Sequence, residues 1–499
     1  MKPPRELCDI PHEQVTLSSF TQLAQCASLL YVPRDKSELA RIFAWAGGAG
    51  ARITFRAGGH SFDDQSLGDD VGADPPPHIV VSMTSFAFIE IDPKNQQMTV
   101  GPGATWGAIF ALLEPLGFVP YVTVTTEHAT AGGTLSGDCL SRFSPMYGKE
   151  GHHIASFELM TVDGHLHVCP RPAGGGPATT LGERLFYGAI GGLGYLGAVT
   201  SITYDLLYVG ETNGRIGVES YVFDYGSFRD LATELVPLVQ RAANDPTAPQ
   251  SVFSALSANG PQRKAMIIHS RYTTSADRHR MPCHEPYTTL RLLTEFLLRV
   301  PALTSMAWSF FYRLLKPDTR YIDDLDGFTF IMDGTVRAKE IATSLGFAWR
   351  SIQQTFIIPA QSDVHAWETA DERLLEFLEA CDARFQAAGV QATMMDVLFI
   401  PRDDNFLMSA SNGMAGFAVS FAFETNSEGR LATITKCFEE LSETCFTAGG
   451  RVYLVKNVRA RQATLIKMYG SRLKDFVALK AEVDPRRTLF NAFLQRNFG

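Results

Sequence analysis

The residue type and setting that most directly suggest chemistry are those of His60, which lies in the run Arg56-Ala-Gly-Gly-His-Ser. Flanking glycines let the main chain curl around a phosphate or a flat ring while the imidazole points at it. In that setting the ring reads as exposed and nucleophilic; a turn histidine with a satisfied hydrogen bond has the same local sequence. Two further glycine clusters follow, at residues 130–137 (TAGGTLSG) and 191–197 (GGLGYLG). The last contains a formal G-x-G-x-x-G at Gly192, Gly194 and Gly197. In a dinucleotide fold that motif follows a strand and opens a helix. Here a helical pattern precedes it and the strand-like AVTSITYDLL follows, so the match is rejected on context. What survives is a tight backbone able to offer N–H groups to an anionic or heterocyclic ligand. Asp63 and Asp64 read as groups that bond backbone N–H rather than a cation. His152 and His153 are adjacent, and neighbouring strand side chains point to opposite faces, which argues against a shared metal.

The elements that must hold these residues form an α/β pattern in the first two hundred positions. Residues 1–30 read as an irregular or helical lead-in, and a short strand begins at Tyr31. Residues 35–49 carry helical spacing (Leu39, Ile42, Phe43, Trp45), and a strand at 51–55 runs into the His60 turn. Further strands are expected at 78–82, 88–91 and 98–100, and a helix at 105–116. Residues 119–153 are rich in Gly, Thr and Ser with little regular patterning, as in a binding segment. A hairpin follows across Asp163-Gly164. Beyond residue 211 helices are expected at 225–244, 285–315, 336–346, 368–388 and 428–447. Strands are expected near 252–257, 265–271, 351–358, 393–399 and 417–424.

Composition narrows the class. At about 150 residues per domain, 499 residues suggest three ordinary units or two large ones. Apolar residues at 45% and charged residues at 19% exclude a disordered or coiled-coil chain. Forty-four Lys and Arg against 53 Asp and Glu leave a net charge of −9, opposite to what tracking nucleic-acid phosphates requires. Eight scattered cysteines with no Cys-x-x-Cys pair fit reduced thiols rather than disulfides or zinc. The N-terminus lacks the apolar core of a signal peptide. No apolar run reaches the ~18 residues of a membrane span; residues 292–315 come nearest and read as two buried or amphipathic helical pieces. The expectation is a cytoplasmic protein with no integral membrane segment and no nucleic-acid partner.

Four blocks in order resemble the vanillyl-alcohol-oxidase superfamily of flavoproteins with a PCMH-type FAD domain. They are YVPRDKSELARIFAWAGGAGARITFRAGGHSFDDQSL, then VGPGATWGAIFALLEPLGFVPYV running into TAGGTLSGDCLSRFSPMYGKEGHHI, then LFYGAIGGLGYLGAVTSITYDL, and finally GGRVYLVKNVR with VDPRRTLFNAFLQR. The first three cover most of residues 31–207 and the last roughly 449–496. The resemblance implies an α+β fold: a two-subdomain FAD-binding domain over residues 1–208, an antiparallel-sheet cap over 209–450, and a segment, 451–499, that returns to the FAD domain. It implies FAD held by Arg56, Ala57, Gly58, Gly59, His60, Ser61 and Phe62, by Thr130, Gly132, Gly133, Gly137 and Asp138, and by the backbone of Val199. Within the superfamily the likeness is to the decaprenylphosphoryl-ribose oxidase type and its sugar- and alcohol-oxidising relatives. That likeness places a flavin-contacting Tyr at Tyr453, an essential Lys at Lys456, a polar active-site Gln at Gln353, and a substrate-facing strand at 417–423 with Ser420.

Two departures matter. The ribose oxidase type lacks a histidine in the first loop, whereas the G-G-H-S form occurs in flavoproteins with an 8α-histidyl bond. Doubly linked members add a cysteine in the second loop; residues 119–138 contain none, and Cys139 lies past the matching place. A single covalent attachment at His60 is therefore expected. Leu140 stands where the ribose oxidase type has a histidine, which implies a different substrate. The implied reaction is oxidation of a CH–OH group in a sugar, polyol or related alcohol by hydride transfer to flavin N5, with oxygen or another carrier as acceptor. The substrate hydroxyl then needs a base within about 3 Å in a water-excluded site. Lys456, in an apolar strand with Val452, Leu454 and Val455, has a pKa that desolvation would lower into that range. It can equally stay charged and stabilise an alkoxide, or be an ordinary solvent-facing strand lysine. Tyr453 can bond substrate or flavin, or be a satisfied core tyrosine. A berberine-bridge-like oxidase and a non-catalytic flavin-binding partner protein share most of these features.

Overall fold

The computed structural model describes residues 3–69, 77–211, 214–245, 248–256, 265–282, 289–300, 303–314, 316, 318–360 and 371–499. Cys283 and part of the helical expectation at 285–315 lie outside them. The architecture is the mixed α+β one expected, with three sheets among the described residues.

The first sheet has four strands in the order His12–Ser18, Gln25–Tyr31, His78–Ser82, Arg52–Arg56. The outer pair is an antiparallel hairpin with His12 opposite Tyr31, and the other pairings are parallel. The N-terminal lead-in is thus a hairpin rather than irregular or helical. Its inward apolar residues, Leu17 and Cys26, pack on Val80, but polar neighbours on the outer face thin the alternation in the sequence. The strand expected to start at Tyr31 instead ends there, ahead of Pro33. Helix Lys36–Ala49 follows. Asp35 accepts from the Glu38 amide at its start, Leu39, Ile42, Phe43 and Ala46 face the core, and Gly50 closes it in the left-handed region.

The second sheet is built on the long strand Ala198–Tyr208, flanked by Gln97–Val100 and Ile154–Met160, with Phe118–Pro120 at its far end. The 119–153 stretch is not featureless: it holds helix Ala131–Gly137, one turn at Ser144–Tyr147, and a 3-10 turn at Glu150–His153. His152 and His153 therefore sit on a turn, not a strand. The ring of His153 stacks on Tyr121 at 4.1 Å, while His152 Nδ1 accepts from the Lys149 amide. Among the described residues no three ligating side chains gather around a metal position, no cysteine is disulfide-bonded, and no helix is long and apolar enough to cross a membrane.

The third sheet has eight antiparallel strands, in the order Arg320–Asp324, Gly217–Tyr225, Ala265–Thr273, Ser251–Leu256, Met394–Ile400, Gly416–Glu424, Ser351–Pro359, Arg451–Val452. The first two in that order were not expected from the sequence. Alternation sorts its faces. Phe356, Phe421 and Phe423 pack on Phe377, Phe385 and Phe438 of helices Glu372–Ala387 and Glu428–Thr447. Phe421 and Phe423 therefore face helices, while Ala418, Ser420 and Ala422 point the other way and the last two line a cavity.

The last fifty residues bind back onto the first sheet. The Thr488 carbonyl accepts from the Ile53 amide at 2.8 Å. Asn491, fully buried, donates to the carbonyls of Asp64, Gln65 and Leu67 and accepts from the Tyr195 hydroxyl and the Leu494 amide. Replacing Asn491 by Ala strands these partners in the interior. Expected is a loss of about 3 kcal/mol of stability, read as a lower denaturant midpoint with an unchanged m-value.

Candidate functional site

A cavity of about 490 Å³ lies between the three glycine segments and the open face of the eight-stranded sheet. Strand Arg52–Arg56 ends at its wall, and residues 56–62 line it. So do Thr130, Gly132, Gly133 and Gly137 from the second segment and Leu193, Gly194, Gly197 and Val199 from the third. The ladder of strand Ala198–Tyr208 slips register between Val199 and Ser201, which loosens the backbone at that wall.

The first loop is shaped by two glycines. Gly59 has φ +73, a conformation side-chain-bearing residues rarely adopt. Gly58 passes so close to the second segment that an added Cβ would lie 2.6 Å from the His128 carbonyl. Among the described residues the amides of Gly58, Gly59, His60, Ser61 and Phe62 donate to no protein acceptor. A run of N–H groups along a cavity wall is the donor set an FAD diphosphate needs, so the loop fits that cofactor on its own geometry.

His60 is not the exposed side chain its sequence suggests. Its ring lies between Phe20, 5.4 Å away, and His128, stacked at 6.0 Å. Burial, reinforced by the neighbouring His128, Lys339 and Arg56 charges, pushes its pKa down to about 4. The imidazole is therefore neutral at ordinary pH, with a ring-nitrogen lone pair available.

Asp138 departs from its expected place. It does not line the cavity. Its side chain, at a φ of +45, accepts from Lys149 and from the Gly151 amide. Lys149 is held in turn by Asp403 and Ser409 in a buried network. Tyr453 is the satisfied tyrosine: its hydroxyl donates to the carbonyls of Gly137 and Asp138 at 3.0 and 3.1 Å, so it holds the second segment while its ring lines the cavity.

Lys456 does line the cavity, but from a turn, because the C-terminal strand stops at Val452. Gln65 donates to the Leu454 and Lys456 carbonyls and fixes that turn. The ammonium lies 3.7 Å from the centre of the Phe62 ring, a favourable cation–π placement. Burial lowers the Lys456 pKa to about 8, against the opposing charge of Asp396. Asp396 escaped the sequence reading. It lines the cavity from strand Met394–Ile400, and its Oδ1 is buried without a hydrogen-bond partner. Burial raises its pKa to about 6, offset by Lys456, the Ser420 hydroxyl and Arg142. Register puts Asp396 opposite Ser420 and Ser420 opposite Thr355, whose hydroxyls are 2.8 Å apart. Gln353 joins this row one pair along; its backbone is tied to Asn457 and its side chain lines the cavity. A lone acid at an inward position of the otherwise apolar MMDVLFI is the signal that could have identified Asp396.

Comparison with known proteins agrees with this geometry. Residues 27–170 match the FAD binding domain family, and residues 367–497 match the D-arabinono-1,4-lactone oxidase family. The chain is 24% identical over 170 residues to cytokinin dehydrogenase 2 of Arabidopsis thaliana, covering 34% of this chain and 31% of that protein. It is 25% identical over 240 residues to the FAD-dependent monooxygenase tpcD of Cochliobolus heterostrophus, covering 47% and 42%. It is 29% identical over 99 residues to the human Delta(24)-sterol reductase, covering 20% and 19%. The matches thus span less than half of each of these relatives. Residues 27–170 thus carry an FAD-binding domain, and residues 367–497 are similar to the D-arabinono-1,4-lactone oxidase family.

Gly58→Ala tests the cradle. Forcing the His128 carbonyl away costs about 1–3 kcal/mol, so flavin content, read as the 450 to 280 nm absorbance ratio of purified protein, should fall while the fold by circular dichroism is retained.

Proposed function

We propose that the protein is an FAD-dependent oxidoreductase that oxidises a CH–OH group. The observation that carries this reading is one shared cavity. A desolvated lysine and a buried carboxylate, Lys456 and Asp396, face the same space as the unpartnered amides of the His60 loop. FAD, when bound, supplies a two-electron acceptor for hydride. The match of residues 367–497 to the D-arabinono-1,4-lactone oxidase family supports an alcohol function as donor and oxygen, or another carrier, as final acceptor.

The two charged groups divide the work by their environments. Asp396, near 6, is ionised at neutral pH and can accept the hydroxyl proton; Lys456, near 8, is still protonated and can steady the developing negative charge. Ser420, Thr355 and Gln353 offer hydrogen bonds that orient the hydroxyl. The apolar surroundings that shift both pKa values also keep water from competing. Under this division kcat/KM rises through about pH 6 and falls above about pH 8. Asp396→Asn should remove the acidic limb, and Lys456→Met should remove the alkaline limb with a rate loss of about 10²–10⁴. A rate that rises through about pH 8 and then levels off would instead assign the base to the neutral Lys456 amine.

His60 is proposed as a single covalent attachment point for FAD. The neutral ring and its seat in the first loop favour bond formation. Acid-precipitated protein should stay yellow and yield a flavin-modified His60 peptide; His60→Ala should release all colour into the supernatant. Colour released from the unaltered protein would refute the linkage.

A further inference from the structure

We infer that the alcohol this site accepts carries a hydrophobic body, an aryl or branched hydrocarbon group, rather than being a free sugar or sugar lactone. The inference rests on the alcohol-oxidising reading above and concerns what surrounds the reacting hydroxyl.

The open face of the large sheet changes character from one side to the other. On strands Ser351–Pro359, Gly416–Glu424 and Met394–Ile400 the side chains facing the cavity include Gln353, Thr355, Ser420 and Asp396. On the next two strands they are Phe253, Met266 and Ile268, with Phe253 paired opposite Ile268. Neighbouring strands are ~4.8 Å apart, so this apolar wall begins one strand from Asp396 and extends for about 10 Å. Met281 and Trp308 close over it. The one polar group of Trp308 is already used: its indole N–H donates to the Thr393 carbonyl at 3.0 Å.

The charged groups that share the cavity are engaged with ring faces or with one another; Arg299 Nε and Glu424 Oε2, buried without a hydrogen-bond partner, belong to neither strand of the apolar wall. Arg142 lies over the Phe253 and Phe328 rings and donates to the Phe328 carbonyl. Arg291 and Arg299 both pair with Glu295, and Arg299 also with Glu424. A polyol seated with its carbinol at Asp396 would lay its other hydroxyls on methionine, isoleucine and phenylalanine, losing water without replacement. A hydrocarbon body there gains by leaving water, and methionine adapts to flat or irregular ring shapes.

The test uses the flavin-loaded protein and two readouts. Equilibrium binding is followed anaerobically by thermal shift with 2-acetonaphthone, which has no carbinol to oxidise, against D-gluconamide, whose oxidation would show as flavin bleaching. Turnover is followed by anaerobic flavin bleaching with 2-naphthalenemethanol and perillyl alcohol against xylitol and L-gulono-1,4-lactone. Expected are stabilisation by acetonaphthone alone and bleaching at least about tenfold faster with the apolar alcohols, the order of discrimination that pocket contacts provide. Ile268→Asn and Met281→Gln should each reduce that preference while leaving the flavin spectrum unchanged. Met281 sits at the edge of the wall, so its variant serves where Ile268→Asn does not fold. Stabilisation and bleaching by the polar compounds alone would overturn the inference and leave the alcohol-oxidising reading intact. Stabilisation by acetonaphthone without bleaching by any alcohol would support the apolar site and overturn that reading instead.

Discussion

The interaction on which the rest depends joins Asp63 to Val458 and Arg459, 395 and 396 positions away. The Asp63 carboxylate accepts from the Val458 amide and from the Arg459 guanidinium, and all three groups are largely buried. Around this contact three separate parts of the chain meet residues 453–459. Gln65 and Phe62 of the first loop bond the Leu454 and Lys456 carbonyls and the Asn457 side chain. Asn457 also bonds Gln353 of the large sheet through both backbone groups, and Tyr453 holds the second glycine segment. A half-satisfied network of this kind would be worse than none, so the geometry of loop, sheet and C-terminal turn is set as one unit. Lys456 is placed by that unit and not by a ladder of its own.

Electrostatics at the site follow from the same packing. The large sheet turns a phenylalanine face to its helices and leaves the opposite face as the roof of a cavity. An acid on that roof and a lysine from the facing turn are both desolvated, so the acid's pKa rises and the lysine's falls. The two shifts bring the groups toward neutrality from opposite sides, the pattern that separates acid and base roles in one site. His60 shows the same force acting on a third group. Phe20 and His128 flank it, and burial lowers its pKa to about 4, which leaves the ring uncharged at neutral pH.

Much of this was legible along the chain because it is local. The Gly58-Gly59 turn, the helix over residues 36–49, the Asp163-Gly164 hairpin and the long helix after residue 428 are written in neighbouring residues. The rejection of Gly192, Gly194 and Gly197 as a dinucleotide fingerprint also held, since a helix precedes them and a strand follows. The misses have two causes. The strands Gly217–Tyr225 and Arg320–Asp324 pair with segments far along the chain, whereas the His12–Ser18 hairpin is local but has polar residues on its outer face. Asp138 resembled a cavity residue until Lys149 and Asp403 drew it into the interior.

The sequence by itself determined that backbone N–H groups and a histidine would gather in one early loop, because glycine spacing acts within a few residues. It also determined which residue types were present for the chemistry. Only the tertiary structure decided which of them face one another: that His60 is half-buried between two rings, that Tyr453 braces a loop, that Asp396 looks toward Lys456, and that the wall beyond them is apolar. Those outcomes depend on strand order and on contacts nearly four hundred residues apart, and desolvation, which sets each charge, exists only once those contacts have closed.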